Sequence, residues 1–217
     1  MIMNKSVSLS DQVFDRIEED ILTGKHPRGT ILTELGLCAE LGVSRTPVRE
    51  ALARLEQEHI IESTGKGMLV LSITPEDAEV IYTIRGHIEG LAAAACARNA
   101  SEEQLKEMKD LVDLQEFYSE KSESDKVKSI DSNFHELVYR GAGSPVIYDT
   151  LLPLHKKLSK FRKISYSNNS RAAVSAKEHR AIYEAIAERD EKKAEEAMLL
   201  HVLNAEEHFD KNIVLPD

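Results

Sequence analysis

The chain reads as a mainly α protein: an N-terminal winged helix-turn-helix of three helices and a β-hairpin, followed by a six-helix antiparallel bundle. Three observations predict this. Gly42-Val43-Ser44-Arg45-Thr46-Pro47-Val48-Arg49-Glu50-Ala51-Leu52 reads as a turn running directly into an amphipathic helix. Two β-prone runs, at residues 60–64 and 68–71, enclose Gly65-Lys66-Gly67, the pattern of a hairpin. From Pro75 onward no strand signal occurs, and helical periodicities are broken only by caps, glycines and prolines.

The first helix spans about Leu9 to Leu22, with Val13, Phe14, Ile17 and Ile21 on one face and Gly24 closing it. A second short helix begins at Thr33, a good N-cap, and turns Leu37, Cys38 and Leu41 inward. Gly42 supplies a sharp turn because glycine reaches left-handed dihedrals without a Cβ penalty. Ser44 then caps a third helix, and Pro47 falls in its first turn, where a missing N–H costs little. Val48, Ala51, Leu52 and Leu55 form its apolar stripe. Ser44, Arg45, Thr46 and Arg49 lie off that stripe. Two guanidiniums one turn apart at an exposed helix start suit the major groove, where arginine forks onto guanine O6 and N7. Taken alone, the same helix is also compatible with solvated arginines and no nucleic acid. The wing tip presents Lys66 toward a phosphate or the minor groove.

Thr74 as N-cap, Pro75 at the first helical position and Asp77 soon after mark a new start. The domain boundaries are therefore set at 1–72 and 75–217. The second part divides into helices at about 75–99, 102–121, 125–141, 145–165, 170–188 and 191–213. Ser101, Asp125 and Ser144 act as caps, and Asn168-Asn169-Ser170 breaks a further pattern. The charge-rich run Glu116 to Lys128 reads as a solvated helix end and loop.

Composition bounds the reading. The 217 residues suffice for real cores, and no apolar run reaches the roughly 18 residues of a membrane span. No signal peptide is evident, and two cysteines, Cys38 and Cys96, in apolar helical contexts fit a reducing cytoplasm. The net charge of -10 disfavours non-specific nucleic-acid binding. Residues 1–72 hold 8 Lys and Arg against 11 Asp and Glu, a balance of −3, so a DNA contact must rest on a small basic face.

A second constellation lies in the bundle. Asp131 and His135 are one turn apart on the third bundle helix, with His179 on the fifth and His201 on the sixth, each among apolar neighbours. Three imidazoles and a carboxylate suit a borderline divalent ion: zinc first, with nickel, cobalt, manganese or iron as alternatives. On spacing alone the histidines read first as satisfied core or solvated positions, and as a ligand set second. Arg85 is out of place in a stripe of Ile81, Ile84, Ile88 and Leu91; it either pairs with Glu89 or holds a ligand carboxylate. Asn204, three residues beyond His201, is placed to offer an amide to the same cavity. His87, His155 and His208 read as structural or solvated.

The stretch Gly24 to Val70, with Gly29, Leu41 to Leu52, Leu55 and Gly67, resembles the DNA-binding domain of GntR-type bacterial transcription regulators. The resemblance implies that Ser44, Arg45, Thr46 and Arg49 face operator DNA, with Lys66 and Gly67 in the wing. Leu35 departs from relatives that carry a DNA-contacting arginine there, and His59 replaces the glycine that usually follows the recognition helix. Arg85 and Glu89 with Ala92 to Ala95, Asp131 to His135, Glu178-His179 and His201 resemble the FCD effector domain of the FadR branch, and the six-helix count resembles its VanR-like subgroup. There the matching Asp and three His bind a divalent metal, which implies Asp131, His135, His179 and His201 as ligands.

The expected function is that of a sequence-specific transcription regulator, a repressor, acting as a cytoplasmic homodimer. A small carboxylate at the metal-containing cavity would change its operator affinity, with Arg85 and Asn204 as effector contacts. Two other readings stay open at this level: a metal-dependent enzyme, and a helical dimer whose metal is purely structural.

Overall fold

The computed structural model describes residues 8–158, 161, 162, 166 and 169–212. The chain divides at Thr74–Pro75 into two compact units.

In the first unit α1 (Leu9–Leu22), α2 (Glu34–Leu41) and α3 (Arg45–Gln57) precede the wing strands β2 (Ile61–Thr64) and β3 (Gly67–Val70). Val13, Phe14, Ile17 and Ile21 of α1 bury against Val48, Ala51, Leu52 and Leu55 of α3, so the two apolar stripes make one core. Thr33 caps α2 by accepting from the Gly36 N–H, and Gly42 takes φ 67° to end it. Cys38 and Leu41 pack only partly buried at the edge of this core. The strand β1 (Ile31–Leu32) was not foreseen: it pairs antiparallel with β3, giving the sheet order β1-β3-β2. Two residues are too few to show an alternating pattern, so sequence periodicity cannot reveal such a strand.

His59 occupies the position just past the α3 cap with φ 56°, and the Ile60 N–H bonds back to the Leu55 carbonyl at 3.0 Å. The left-handed cap thus forms without glycine, held by the wing strand that follows it. A side chain in that region is strained, so His59→Gly is expected to raise stability by about 0.5–1 kcal/mol, read as a shift in urea midpoint at constant slope.

The second unit is built from α4 (Pro75–Asn99), α5 (Glu102–Glu120), α6 (Ser124–Gly141), α7 (Pro145–Lys157), α8 (Asn169–Ala187) and α9 (Glu191–Asn212). Ser101 and Gln104 close a reciprocal capping box on α5, and Ser144 caps α7 ahead of Pro145. Asp125 is not a cap: α6 starts one residue earlier behind Glu123, which leaves Asp125 in the first turn, where its charge complements the exposed amides. The α7 helix is shorter than expected, ending at Lys157 with Leu158 at its cap. Residues 163–165, the expected end of that helix, and Asn168 lie outside the described residues, as does residue 213 at the end of the sixth.

The run from Glu116 to Lys128 is not wholly solvated, because Ser119 is buried, Val127 is in the core and Glu116 pairs with Arg180 at 2.6 Å. The long helix α9 lies along α4 and against α8, while α6 sits between α4 and α5 and also meets α8. Facing stripes from α4, α6, α8 and α9 therefore surround one interior, and the polar residues placed on those stripes are forced together.

Candidate DNA-reading helix and metal centre

In the first unit Ser44 has the extended backbone of an N-cap, yet its side chain makes no bond to the helix amides. Capping is left to the backbone, and the hydroxyl stays on the exposed end of α3 beside Arg45, Thr46 and Arg49. Pro47 faces the opposite way and is buried. Arg49 Nε lies 3.6 Å from Glu34 Oε1 with both side chains open to solvent, a contact too long and too wet to hold the guanidinium. Lys66 is exposed at the turn between β2 and β3. Gly67 has φ 141°, and a Cβ there would sit 2.5 Å from the Leu32 carbonyl oxygen. Its glycine identity is thus demanded by the approach of β1.

In the second unit Asp131 and His135 project from α6, His179 from α8 and His201 from α9, all buried. The His135 and His201 Nε2 atoms are 3.2 Å apart, as are those of His179 and His201. Asp131 Oδ1 is 3.9 Å from His135 Nε2 and 3.6 Å from His179 Nε2. All four groups offer a ligand atom within 4.8 Å of one another.

The outer nitrogens decide the chemistry. His179 Nδ1 meets Gln115 Oε1 at 2.6 Å, and His201 Nδ1 meets Glu178 Oε2 at 2.8 Å. His135 Nδ1 lies 3.1 Å from Glu89 Oε2. In His179 and His201 the acceptor draws a proton onto Nδ1, which leaves a bare lone pair on Nε2, while His135 Nδ1 approaches a Glu89 oxygen that has no hydrogen-bond partner among the described residues. Imidazole nitrogens and a carboxylate oxygen, the latter also accepting from Tyr166, then converge, an arrangement of lone pairs that a cation inside would relieve. Bonds of about 2.0–2.1 Å around a tetrahedral ion imply ligand separations of about 3.3 Å, close to those found. The residues fit a divalent metal.

Electrostatics agree. Burial, and then the neighbouring His201, push the His179 imidazole well below its ordinary pKa. Burial also lowers His201 despite its bond to Glu178. Both rings are held in the neutral form that ligates. Burial opposes ionisation of Asp131, but the Arg162 guanidinium, with the bond from the Tyr166 hydroxyl, overrides it and keeps the carboxyl well below its usual range.

Around this set lie groups that sequence spacing did not assign. Asp131 Oδ2 accepts from Arg162, and its Oδ1 accepts from the Tyr166 hydroxyl at 2.6 Å. His155 is neither solvated nor remote, because its ring packs 4.5 Å from that of His135 and its Nε2 lies 3.6 Å from Asp131 Oδ2. Phe134 stacks on His179 at 4.4 Å. The one signal available for Gln115 and Tyr139 was a polar group interrupting an apolar stripe, while Glu178 entered through the family resemblance. Without knowledge of which helices face each other, that signal names no partner.

Arg85 and Glu89 form a buried ion pair, and Glu89 Oε1 also accepts from the Tyr139 hydroxyl at 2.7 Å. Arg85 lines a cavity of about 20 Å³ with Asp131, His135, His155, Arg162 and His201. Asn204 is not on that cavity; its amide donates to Glu178 Oε1 at 2.7 Å, steadying the group that orients His201. Removing the Arg85 charge strands a buried carboxylate, so Arg85→Ala is expected to cost about 3–5 kcal/mol of stability by denaturant melt. Arg85→Lys is the better probe of ligand contact, since it keeps the charge and loses the fork.

Three comparisons bear on what this arrangement belongs to. Residues 9–70 match the family described as bacterial regulatory proteins, gntR family, and residues 80–204 match the FCD domain. The HTH-type transcriptional regulator YdhC of Bacillus subtilis is 27% identical over 200 residues, covering 91% of this chain and 89% of its own. The HTH-type transcriptional repressor RspR of Escherichia coli is 26% identical over 201 residues, covering 92% and 88%. Among solved structures, E. coli McbR/YncC superposes with a TM-score of 0.79 at 20% identity, covering 92% of this chain and 95% of its own, which establishes the shared fold. These relatives are regulators of transcription rather than enzymes.

Proposed function

Because the chain belongs to the gntR family of bacterial regulatory proteins and carries an FCD domain, we propose that it is a transcription repressor whose hold on operator DNA is set by a small carboxylate bound beside a divalent metal. The observation that carries this reading is the convergence of three imidazole Nε2 atoms and Asp131 Oδ1. Zinc suits that donor set best, with nickel, cobalt, manganese or iron also accommodated. Four protein donors leave coordination positions open in a larger shell, and a bound ion would supply Lewis acidity toward a carboxylate oxygen there.

The chain's own residues do the rest. Gln115, Glu178 and Glu89 orient the three imidazoles, while Asn204 braces Glu178. Arg85 stands at the cavity wall, fixed by Glu89 and Tyr139. In the DNA-binding unit, Ser44, Arg45, Thr46 and Arg49 read base edges and phosphates, and Lys66 with Gly67 forms the wing contact.

A homodimer puts two such helices on a two-fold operator. Its support is a set of exposed apolar side chains on two adjacent helices, Val80, Ile84 and Leu91 on α4 and Leu199, Leu200 and Leu203 on α9. Among the described residues no helix is long and apolar enough to cross a membrane.

The test is thermal stabilisation of metal-loaded and metal-stripped protein by a panel of hydroxy acids, dicarboxylates and sugar acids, paired with operator gel shifts. Stabilisation confined to the loaded protein, with loss of the shifted band, is expected, because a ligand moves an equilibrium only through differential affinity. No response from loaded protein to any of them would leave a structural metal in a helical dimer.

A further inference from the structure

The charged donors that wall the cavity beside the metal ligands are each paired with a carboxylate, yet two buried donor groups on that wall stay without an acceptor among the described residues and point to a reader of the bound anion. Arg85 is paired with Glu89, Arg162 with Asp131 and Arg171 with Glu178 at 2.9 Å. His155, 1% exposed on α7, lines the same cavity. Its Nε2 lies against Arg162 Nη1, and a guanidinium has hydrogens only to give. Nε2 is therefore the acceptor, and the proton of this neutral ring is on Nδ1.

Among the described residues His155 Nδ1 has no hydrogen-bond partner, and neither has Arg162 Nε. Both orphaned groups are donors on residues of one cavity wall. A buried donor without an acceptor is costly to keep, and it is relieved only by something bringing an oxygen to it. The cavity volume of about 20 Å³ admits a single water-sized group as it stands.

We propose that His155 is an effector-reading residue, its Nδ1–H donating to an oxygen of the anion bound beside the metal ligands. The inference rests on the metal reading above and adds to it the residue that recognises the ligand. A fixed N–H at that point selects an oxygen acceptor, a carboxylate or an adjacent hydroxyl, over an alkyl group, because an alkyl group leaves the donor unpaired. Nothing in the sequence marked His155 for this. It lies on a helix separate from the four metal-ligand positions, with no spacing relation to any of them.

Two amide variants separate the ring's nitrogens. An asparagine amide reaches roughly the Nδ1 position, and a glutamine amide roughly the Nε2 position. Full-length dimeric protein is loaded with cobalt(II), and formate is titrated against the visible absorption of the ion, with melting curves confirming that each variant folds. His155→Asn is expected to bind formate within about threefold of wild type, and His155→Gln and His155→Phe to bind it at least about tenfold more weakly, the worth of one buried hydrogen bond to a charged acceptor. Equal binding by all variants, or retention in His155→Gln with loss in His155→Asn, overturns the proposal and leaves His155 as a support for Arg162. Cobalt bound by wild type with no response to formate also overturns it, leaving the metal centre standing. Failure of wild type to bind cobalt removes the metal reading itself, and this inference with it.

Discussion

About one divalent ion per chain is expected in the wild-type protein and none in His179→Ala/His201→Ala, measured by elemental analysis of untagged material. The double substitution removes two of three converging lone pairs and leaves Asp131 and His135, too few to hold an ion against dialysis. The effect on stability is large. At a metal concentration a thousandfold above Kd, linkage contributes about 4 kcal/mol, which for a chain of this size is about 10 °C in Tm. Adding zinc to metal-stripped protein should therefore raise the melting temperature of wild type by that order and leave the double variant where it was. An ion-free wild type whose melt ignores zinc would show that the imidazoles are stabilised by other means.

Operator affinity should fall about 10- to 100-fold in Arg49→Ala, with the melt unchanged, since one base-reading arginine is worth about 1–3 kcal/mol. Its guanidinium is exposed and makes a long, solvent-open contact with Glu34, so truncation costs the fold little. Lys66→Ala makes the contrasting case. It should weaken binding uniformly across operator variants and reduce the salt slope by about one, as expected of a phosphate contact. A gel shift indifferent to Arg49→Ala would remove α3 from the groove.

The two positions differ in how far sequence could define them. Arg45 and Arg49 sit on a helix whose stripe of Val48, Ala51, Leu52 and Leu55 fixes by itself which side faces out, so local periodicity was enough. His135 and Asp131 share one helix face for the same reason. That His179 and His201 meet them depended on which helices pack together. Spacing left that open; the family resemblance suggested it, and the packing of α6, α8 and α9 accomplishes it.

The sequence by itself determined the helices, the caps at Thr33, Ser101 and Ser144, the wing hairpin, the turn into the recognition helix and the polar residues planted in apolar stripes. All of these are encoded within one or two turns of chain, where propensity and periodicity act. Only the tertiary structure decided the pairing of β1 with β3, the steric demand for Gly67, the Arg85–Glu89 ion pair's bond to Tyr139, and the arrival of His155, Arg162 and Tyr166 around Asp131. Those contacts join residues far apart in sequence. They form because burying several stripes in one interior leaves their polar groups no acceptors except one another.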